Sequence, residues 1–123
     1  MTTGERIRCR RVYDAPRAGD GQRVLVERLW PRGLKSTDVD VVLWLKDIAP
    51  STALRRWYGH DPARWPEFRQ RYRRELSACP EAVTQLLELA DRDVVTLVYA
   101  ARDIPGNGAQ VLRDYLLARL AVR

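Results

Sequence analysis

Apolar positions along the chain repeat in two periods, and the two kinds of segment alternate. Residues 7–13 step in twos, with Ile7, Cys9, Arg11 and Tyr13 against Arg8, Arg10 and Val12, which predicts a strand near a sheet edge. Residues 14–21 contain Pro16, Gly19, Asp20 and Gly21 and read as a solvent loop. Residues 24–30 (VLVERLW) read as a buried second strand that runs straight into a Pro31-Arg32-Gly33 turn. Residues 41–45 (VVLWL) are apolar on both faces. Their shortness and β-branching favour a strand, although periodicity alone also admits a buried helix. Residues 94–101 (VVTLVYAA) form the clearest strand. An element apolar on both faces belongs at the centre of a sheet, and helices are expected over both of its sides.

The longer period appears between these runs. Ser36 or Thr37 caps a short helical turn, and Ser51, after Pro50, is a good N-cap for a helix over 52–58. Gly59-His60-Asp61-Pro62 is a turn by composition. Pro66 suits a first helical position; beyond it Phe68, Tyr72 and Leu76 share one face, with Arg69, Arg71, Arg73 and Arg74 around the rest. Pro80 opens a further helix through residue 91, with Val83, Leu86, Leu87 and Ala90 inward. After a loop at 102–108, residues 109–120 form the last helix and bury Leu112, Tyr115, Leu116 and Leu120. Buried strands separated by helices predict a small single α/β domain with a mostly parallel sheet flanked by helices. In such sheets ligands sit beyond the carboxyl ends of the strands. Two predicted strands end in polar loops there, 28–33 and 102–107.

Composition narrows the picture only slightly. A chain of 123 residues is one domain, 1–123, long enough to bury a core without disulfides or metal. No apolar run is long enough to cross a bilayer, and residues 1–11 are polar and basic rather than a secretory signal. A cytoplasmic location without a membrane partner is the expectation. Cys9 and Cys79 lie far apart and His60 is the single histidine, so no Cys/His metal site is expected, nor any cofactor. The two thiols read as reduced and packed.

Charge adds more. The net charge is +6, and only Lys35 and Lys46 among the basic residues are lysines. Arginine is the better fork for phosphate and carboxylate, although a GC-rich coding sequence would produce the same bias. The excess lies in residues 1–35, with nine basic and four acidic residues, and in 55–74, with seven and two. Residues 75–101 are acidic. Such polarisation favours an anionic partner.

The chain resembles the YeaO-like family of small uncharacterised bacterial proteins. The resemblance runs nearly end to end and is carried by residues 11–14 (RVYD), 24–33 (VLVERLWPRG), 44–46 (WLK), 49–52 (APST) with Leu54 and Arg55, and 96–103 (TLVYAARD) with Asn107. It implies an α/β fold and supports the choice of site residues, but no reaction. One position departs: family members commonly have Asn-His-Ala at the start of the last helix, where this chain has Asn107-Gly108-Ala109. Glycine at that point leaves room for a closer backbone approach.

Arg28, Arg32 and Arg102 are the sharpest candidates, because converging guanidinium groups bind phosphate or carboxylate through paired hydrogen bonds. The alternative is that they pair with Glu27, Asp47 or Asp103. Gly106-Asn107-Gly108 precedes a helix N-terminus, a natural anion seat, or else Asn107 is simply the N-cap. Neither a P-loop nor a G-x-G-x-x-G pattern is present. Asp47 and Asp103 are candidate general bases, Tyr99 a candidate acid or orienting hydroxyl, and His60 a candidate acid–base group. Each is more often a cap, an ion-pair partner, a core edge or, for His60, a solvated loop residue. Of Trp30, Trp44, Trp57 and Trp65, Trp44 and Trp57 suit a core, and Trp30 suits stacking at the rim.

Three functions remain open. The leading one is a small anionic ligand bound at the strand carboxyl ends, by an enzyme or a sensor. There Arg28, Arg32 and Arg102 hold the anion, Trp30 stacks, and Asp103 with Asn107 orients the ligand. The second is nucleic-acid binding along the arginine-rich face of 64–74. The third is a protein-interaction module. The sequence sets neither catalysis nor oligomeric state.

Overall fold

The computed structural model describes residues 6–101 and 107–122. Four strands, β1 (Ile7–Arg11), β2 (Gln22–Leu25), β3 (Leu43–Trp44) and β4 (Val95–Tyr99), form one sheet in the order β1-β4-β2-β3, with every pairing parallel. Ile7 stands opposite Val95 and Arg11 opposite Tyr99; on the other side of β4, Gln22 meets Val95 and Leu25 meets Val98. The α/β class and the parallel sheet are as the periodicity predicted.

Helices α1 (Thr52–Tyr58), α2 (Trp65–Ser77), α3 (Pro80–Arg92) and α4 (Gly108–Leu120) complete the domain. Their starts are chemically marked. The Ser51 hydroxyl accepts from the Leu54 amide and the Asn107 side chain from the Gln110 amide, while prolines open α2 and α3. Ser51 is itself held: its amide and hydroxyl donate to Glu75 at 2.8 and 2.5 Å, tying the start of α1 to α2.

Strand alternation divides the core in two. Ile7, Val24, Val95, Leu97 and Tyr99 pack among residues of all four helices, including Leu54, Phe68, Tyr72, Leu86 and Leu112. Leu25 and Val98 face the other way and join Val12 and Val39, with Trp30, Leu34, Val41 and Trp44 against them. Among the described residues none from α1 to α4 belongs to this second cluster, so the expected helices over both faces give way to loop on one. The reason lies in residues 26–42. Pro31 and Gly33, the latter at φ 78°, forbid a long helix there, and two indoles satisfy loop carbonyls instead. Trp30 Nε1 donates to the Leu34 carbonyl at 2.7 Å and Trp44 Nε1 to the Glu27 carbonyl at 2.6 Å. The two rings meet edge to face, 5.2 Å between centroids.

β2 is also shorter than the apolar run predicted. The Val26 amide still donates to Val98 at 3.0 Å, but the amide of Ala100, just past the end of β4, goes to the Glu27 carboxylate at 2.8 Å. A side chain replaces the ladder there, and the backbone is free to turn away.

The crossing from β1 to β2 is pinned by Asp20, which is 2% exposed. Its carboxylate accepts from Arg23 at 2.6 Å and from the Arg17 amide at 3.0 Å, with Arg10 at 3.8 Å, and its carbonyl accepts the Thr96 hydroxyl at 2.6 Å. Burial alone would raise this carboxyl; the Arg17 amide, the Arg23 hydrogen bond and the charges of Arg10 and Arg23 outweigh it and hold it below the ordinary carboxylate value. Gly21 beside it has φ 60°, and a Cβ there would stand 2.2 Å from the Val94 carbonyl oxygen.

Candidate functional site

Parallel strands bring their carboxyl ends to one rim, and a cleft opens there beside β2 and β4. Val26, Glu27, Tyr99 and Ala101 come from the strand ends, Arg55, Tyr58 and His60 from α1 and its exit, Phe68 and Tyr72 from α2, and Asn107 to Ala109 from the start of α4, with Pro50 alongside. Its cavity volume is about 70 Å³. Next to it lies a wider groove of about 360 Å³, lined by Arg28, Leu29, Thr52, Arg55, Arg56 and His60. Arg55 and His60 border both spaces.

The cleft is polar at its mouth and aromatic at its floor. Glu27 Oε1 is fixed by the Ala100 amide, and Oε2 lies 3.8 Å from Arg55 Nη1. Tyr99 is buried and hydrogen-bonded to Asn107; burial and the neighbouring Cys9 push its hydroxyl above the ordinary tyrosine value, so it stands as a neutral donor. Asn107 is buried and caps α4, with the Gln110 amide at 3.2 Å. Behind them the Tyr72 hydroxyl donates to the Ile48 carbonyl at 2.6 Å, and burial raises that phenol too. His60 follows Gly59 into the left-handed region, at φ 58° after φ 53°, with its ring 5.9 Å from that of Tyr58. Two such residues in succession turn the chain back toward α1.

The sequence-predicted residues are distributed as follows. Arg28 borders the groove, where its Nη2 and Nε donate to the Ala49 and Pro50 carbonyls at 2.9 and 3.3 Å. Arg32 is exposed, its carbonyl accepting the Tyr13 hydroxyl at 3.1 Å, and it lines neither the cleft nor the groove. Trp30 is half-buried against Trp44 in the loop-covered cluster, on the side of the sheet opposite the helices. Tyr99, His60 and Asn107 share the cleft. Asp47 is exposed in the 3₁₀ turn Lys46–Ile48, outside it. Arg102 and Asp103, and with them the expected meeting of three arginines, lie outside the described residues. Among the described residues no group of acidic, histidine and cysteine side chains could hold a metal ion.

Glu27, Arg55 and Arg56 were not singled out as site residues from sequence. Arg55 and Arg56 do carry a signal, a basic pair in the last turn of a short helix four to five residues before the only histidine. The glycine at position 108 makes its close approach to protein rather than open space: a Cβ there would lie 3.1 Å from Pro50 Cγ and 3.5 Å from Tyr72 Cε2.

The arginine-rich helix is arranged as an amphipathic surface element. Phe68, Tyr72 and Leu76 are buried, while Arg69, Arg71, Arg73 and Arg74 are exposed. Arg71 pairs with Glu67 and lies 4.3 Å from the Trp57 ring centroid. Arg64 lies 5.3 Å over the same ring and donates to the Trp57 carbonyl.

A short parallel α/β domain with a small cleft and a cationic groove at the strand carboxyl ends defines the class of protein. Within that class the chain belongs to the family described as the inactive DUF488-N3 subclade, which matches residues 6–123. It is 44% identical over 119 residues to the uncharacterized protein Rv3073c of Mycobacterium tuberculosis strain H37Rv, covering 97% of this chain and 100% of that one. It is 41% identical over 110 residues to the uncharacterized protein YeaO of Escherichia coli K12, covering 89% of this chain and 96% of that one. The YeaO-like resemblance read from the sequence is thereby established. No solved structure matches the chain. No helix among the described residues is long and apolar enough to cross a membrane.

Proposed function

We propose that this domain binds a small phosphate- or carboxylate-bearing ligand at the strand carboxyl ends and does not turn it over. One observation carries the reading: Arg28, Arg55, Arg56 and His60 border a single groove with no carboxylate among its described lining residues. Guanidinium groups so gathered, on a rim where α/β folds bind ligands, attract an anion and can grip it through charge-assisted hydrogen bonds. Binding without chemistry is favoured over catalysis by the family's description as inactive. It is also favoured by Tyr99 and Asn107, neutral groups already engaged with each other and with the α4 backbone.

The test is calorimetric titration with orthophosphate and simple phosphate esters at low salt. Replacing Arg55 and Arg56 together with Gln removes charge from an exposed helix end and should leave the fold intact. Affinity should fall by about tenfold or more, since each lost charge-assisted hydrogen bond contributes roughly 1.5–3 kcal/mol. Equal affinities in the wild type and the double variant dispose of the reading. Nucleic-acid binding along α2 is less well supported, because Arg64 and Arg71 are already committed to Trp57 and Glu67.

A further inference from the structure

Neither the cleft nor the groove includes the β1 edge of the sheet, which carries much of the positive charge. We propose that β1 and the turn that leaves it form a separate site for single-stranded nucleic acid, with Tyr13 stacking on a base and Arg8, Arg17 and Arg32 holding the flanking phosphates. These residues line neither the cleft nor the groove, so the inference stands or falls apart from the small-anion reading.

Residues 6–35 hold nine basic side chains against three acidic ones, Asp14, Asp20 and Glu27. Two of those acids are withdrawn from the edge: Asp20 is buried against Arg23, and Glu27 faces Arg55 in the cleft. Arg8, Arg17 and Arg32 are exposed, and among the described residues none of them pairs with a carboxylate. Local contacts gather them. Arg8 lies against the loop that follows β1, where a Cβ on Gly19 would stand 3.0 Å from its Nη1. Arg17 belongs to that loop, its amide held by Asp20 at 3.0 Å. Arg32 arrives from a different loop and is tied in by the Tyr13 hydroxyl, which donates to its carbonyl at 3.1 Å. Guanidinium groups left without counter-charges attract phosphates and release the ions condensed on them.

Charge alone suits any polyanion, and Tyr13 narrows the choice. At 44% it is the one exposed ring among the tyrosines, tryptophans and phenylalanine; the others are buried or half-buried. It meets no other ring among the described residues. Its hydroxyl is anchored at Arg32, and the Arg11 guanidinium lies 5.2 Å from its centroid. A ring already held in place gives up little freedom when a partner stacks on it. Every nucleobase has a π-face that suits such a ring, whatever the sequence. In a duplex those faces are covered by neighbouring bases, which favours a single strand. A membrane surface offers phosphates but no flat partner for the ring.

The experiment is fluorescence anisotropy of a labelled oligothymidylate of about 15 nucleotides, titrated with the full chain from about 50 mM salt upward. Wild type should bind, and a fourfold rise in salt should weaken it roughly twentyfold, as expected for about three phosphates releasing ~0.7 counterions each. Tyr13→Ala should lose about tenfold, and Tyr13→Phe, which keeps the ring, far less. Arg8→Gln combined with Arg17→Gln should lower the salt slope by about 1.4. Arg69→Gln combined with Arg73→Gln, on α2, should change nothing. Thermal unfolding checks that every variant is folded. The inference is overturned by absence of binding at low salt, by equal affinities in wild type and Tyr13→Ala, or by equal losses in Tyr13→Ala and Tyr13→Phe. A loss in the α2 variant as large as in the edge variants overturns it too, as does a preference for duplex DNA or for anionic phospholipid vesicles over the single strand.

Discussion

Replacing Asp20 with Ala should be among the most damaging single changes in the domain. The carboxylate is 2% exposed and its partner Arg23 5% exposed, so the variant leaves a guanidinium in the interior with the Asp40 carbonyl, at 2.7 Å, as its remaining partner. Breaking a buried ion pair from one side costs about 3–5 kcal/mol. At roughly 0.05–0.15 kcal/mol per residue, that is a large share of the stability of a chain this size. Asp20→Asn should cost less, because an oxygen remains for the Arg17 amide and Arg23. Asp20→Ala combined with Arg23→Met should recover much of the loss, because the orphaned charge goes too. The effect has a definite pH dependence. The Asp20 carboxyl is held below its unfolded value, so its contribution is complete above the ordinary carboxylate pKa of about 3.9 and disappears as pH falls through the lower folded value. Urea denaturation of wild type and Asp20→Ala at neutral pH and at steps below pH 5 measures this. A gap under about 1 kcal/mol at pH 7, where 3–5 is expected for a buried pair, would refute the argument, as would a gap that widens toward acid.

Two further outcomes follow from strained or buried groups. His60→Gly relieves a left-handed backbone position at φ 58° and should raise stability by about 1 kcal/mol while weakening phosphate binding; a fall in the thermal midpoint would mean that the ring's packing against Tyr58 outweighs the strain. Burial pushes the Cys9 thiol up to about 12, against the smaller opposing charge of Arg113, and its Sγ donates to the Ala109 carbonyl at 3.4 Å. At pH 8 only about one such thiol in 10⁴ is ionised, so iodoacetamide followed by mass spectrometry should label Cys9 far more slowly in the native protein than in urea. Equal rates would contradict the burial.

Much of the fold was legible because its markers are local. Ser51, Pro66, Pro80 and Asn107 stand at helix starts, and the apolar run around Leu97 is the central strand. Residues 24–30 misled in one respect. Their apolar character continues past Leu25, yet Trp30 serves the loop-covered cluster and Glu27 takes over a ladder hydrogen bond, which no periodicity records. The lining of the candidate cleft and groove was legible in part. Arg28, Tyr99, His60 and Asn107 were read from turns and strand ends. Arg55 and Arg56 were not, because what carries them to the rim is the position of α1 after β3, a fact of topology with no local trace.

The sheet order has a consequence for how the chain comes into being. β1 and β2 are not neighbours in the sheet; each pairs along its length with β4, Ile7 with a partner 88 residues on and Gln22 with the same residue 73 on. A nascent polypeptide that has emerged only through α3 therefore owns two edges waiting for the same missing strand, held apart by nothing but the tether between them. Both pairings must therefore be late, and non-local closures of this kind are slow. Until β4 arrives, the rim described above does not exist, and neither does anything it could hold.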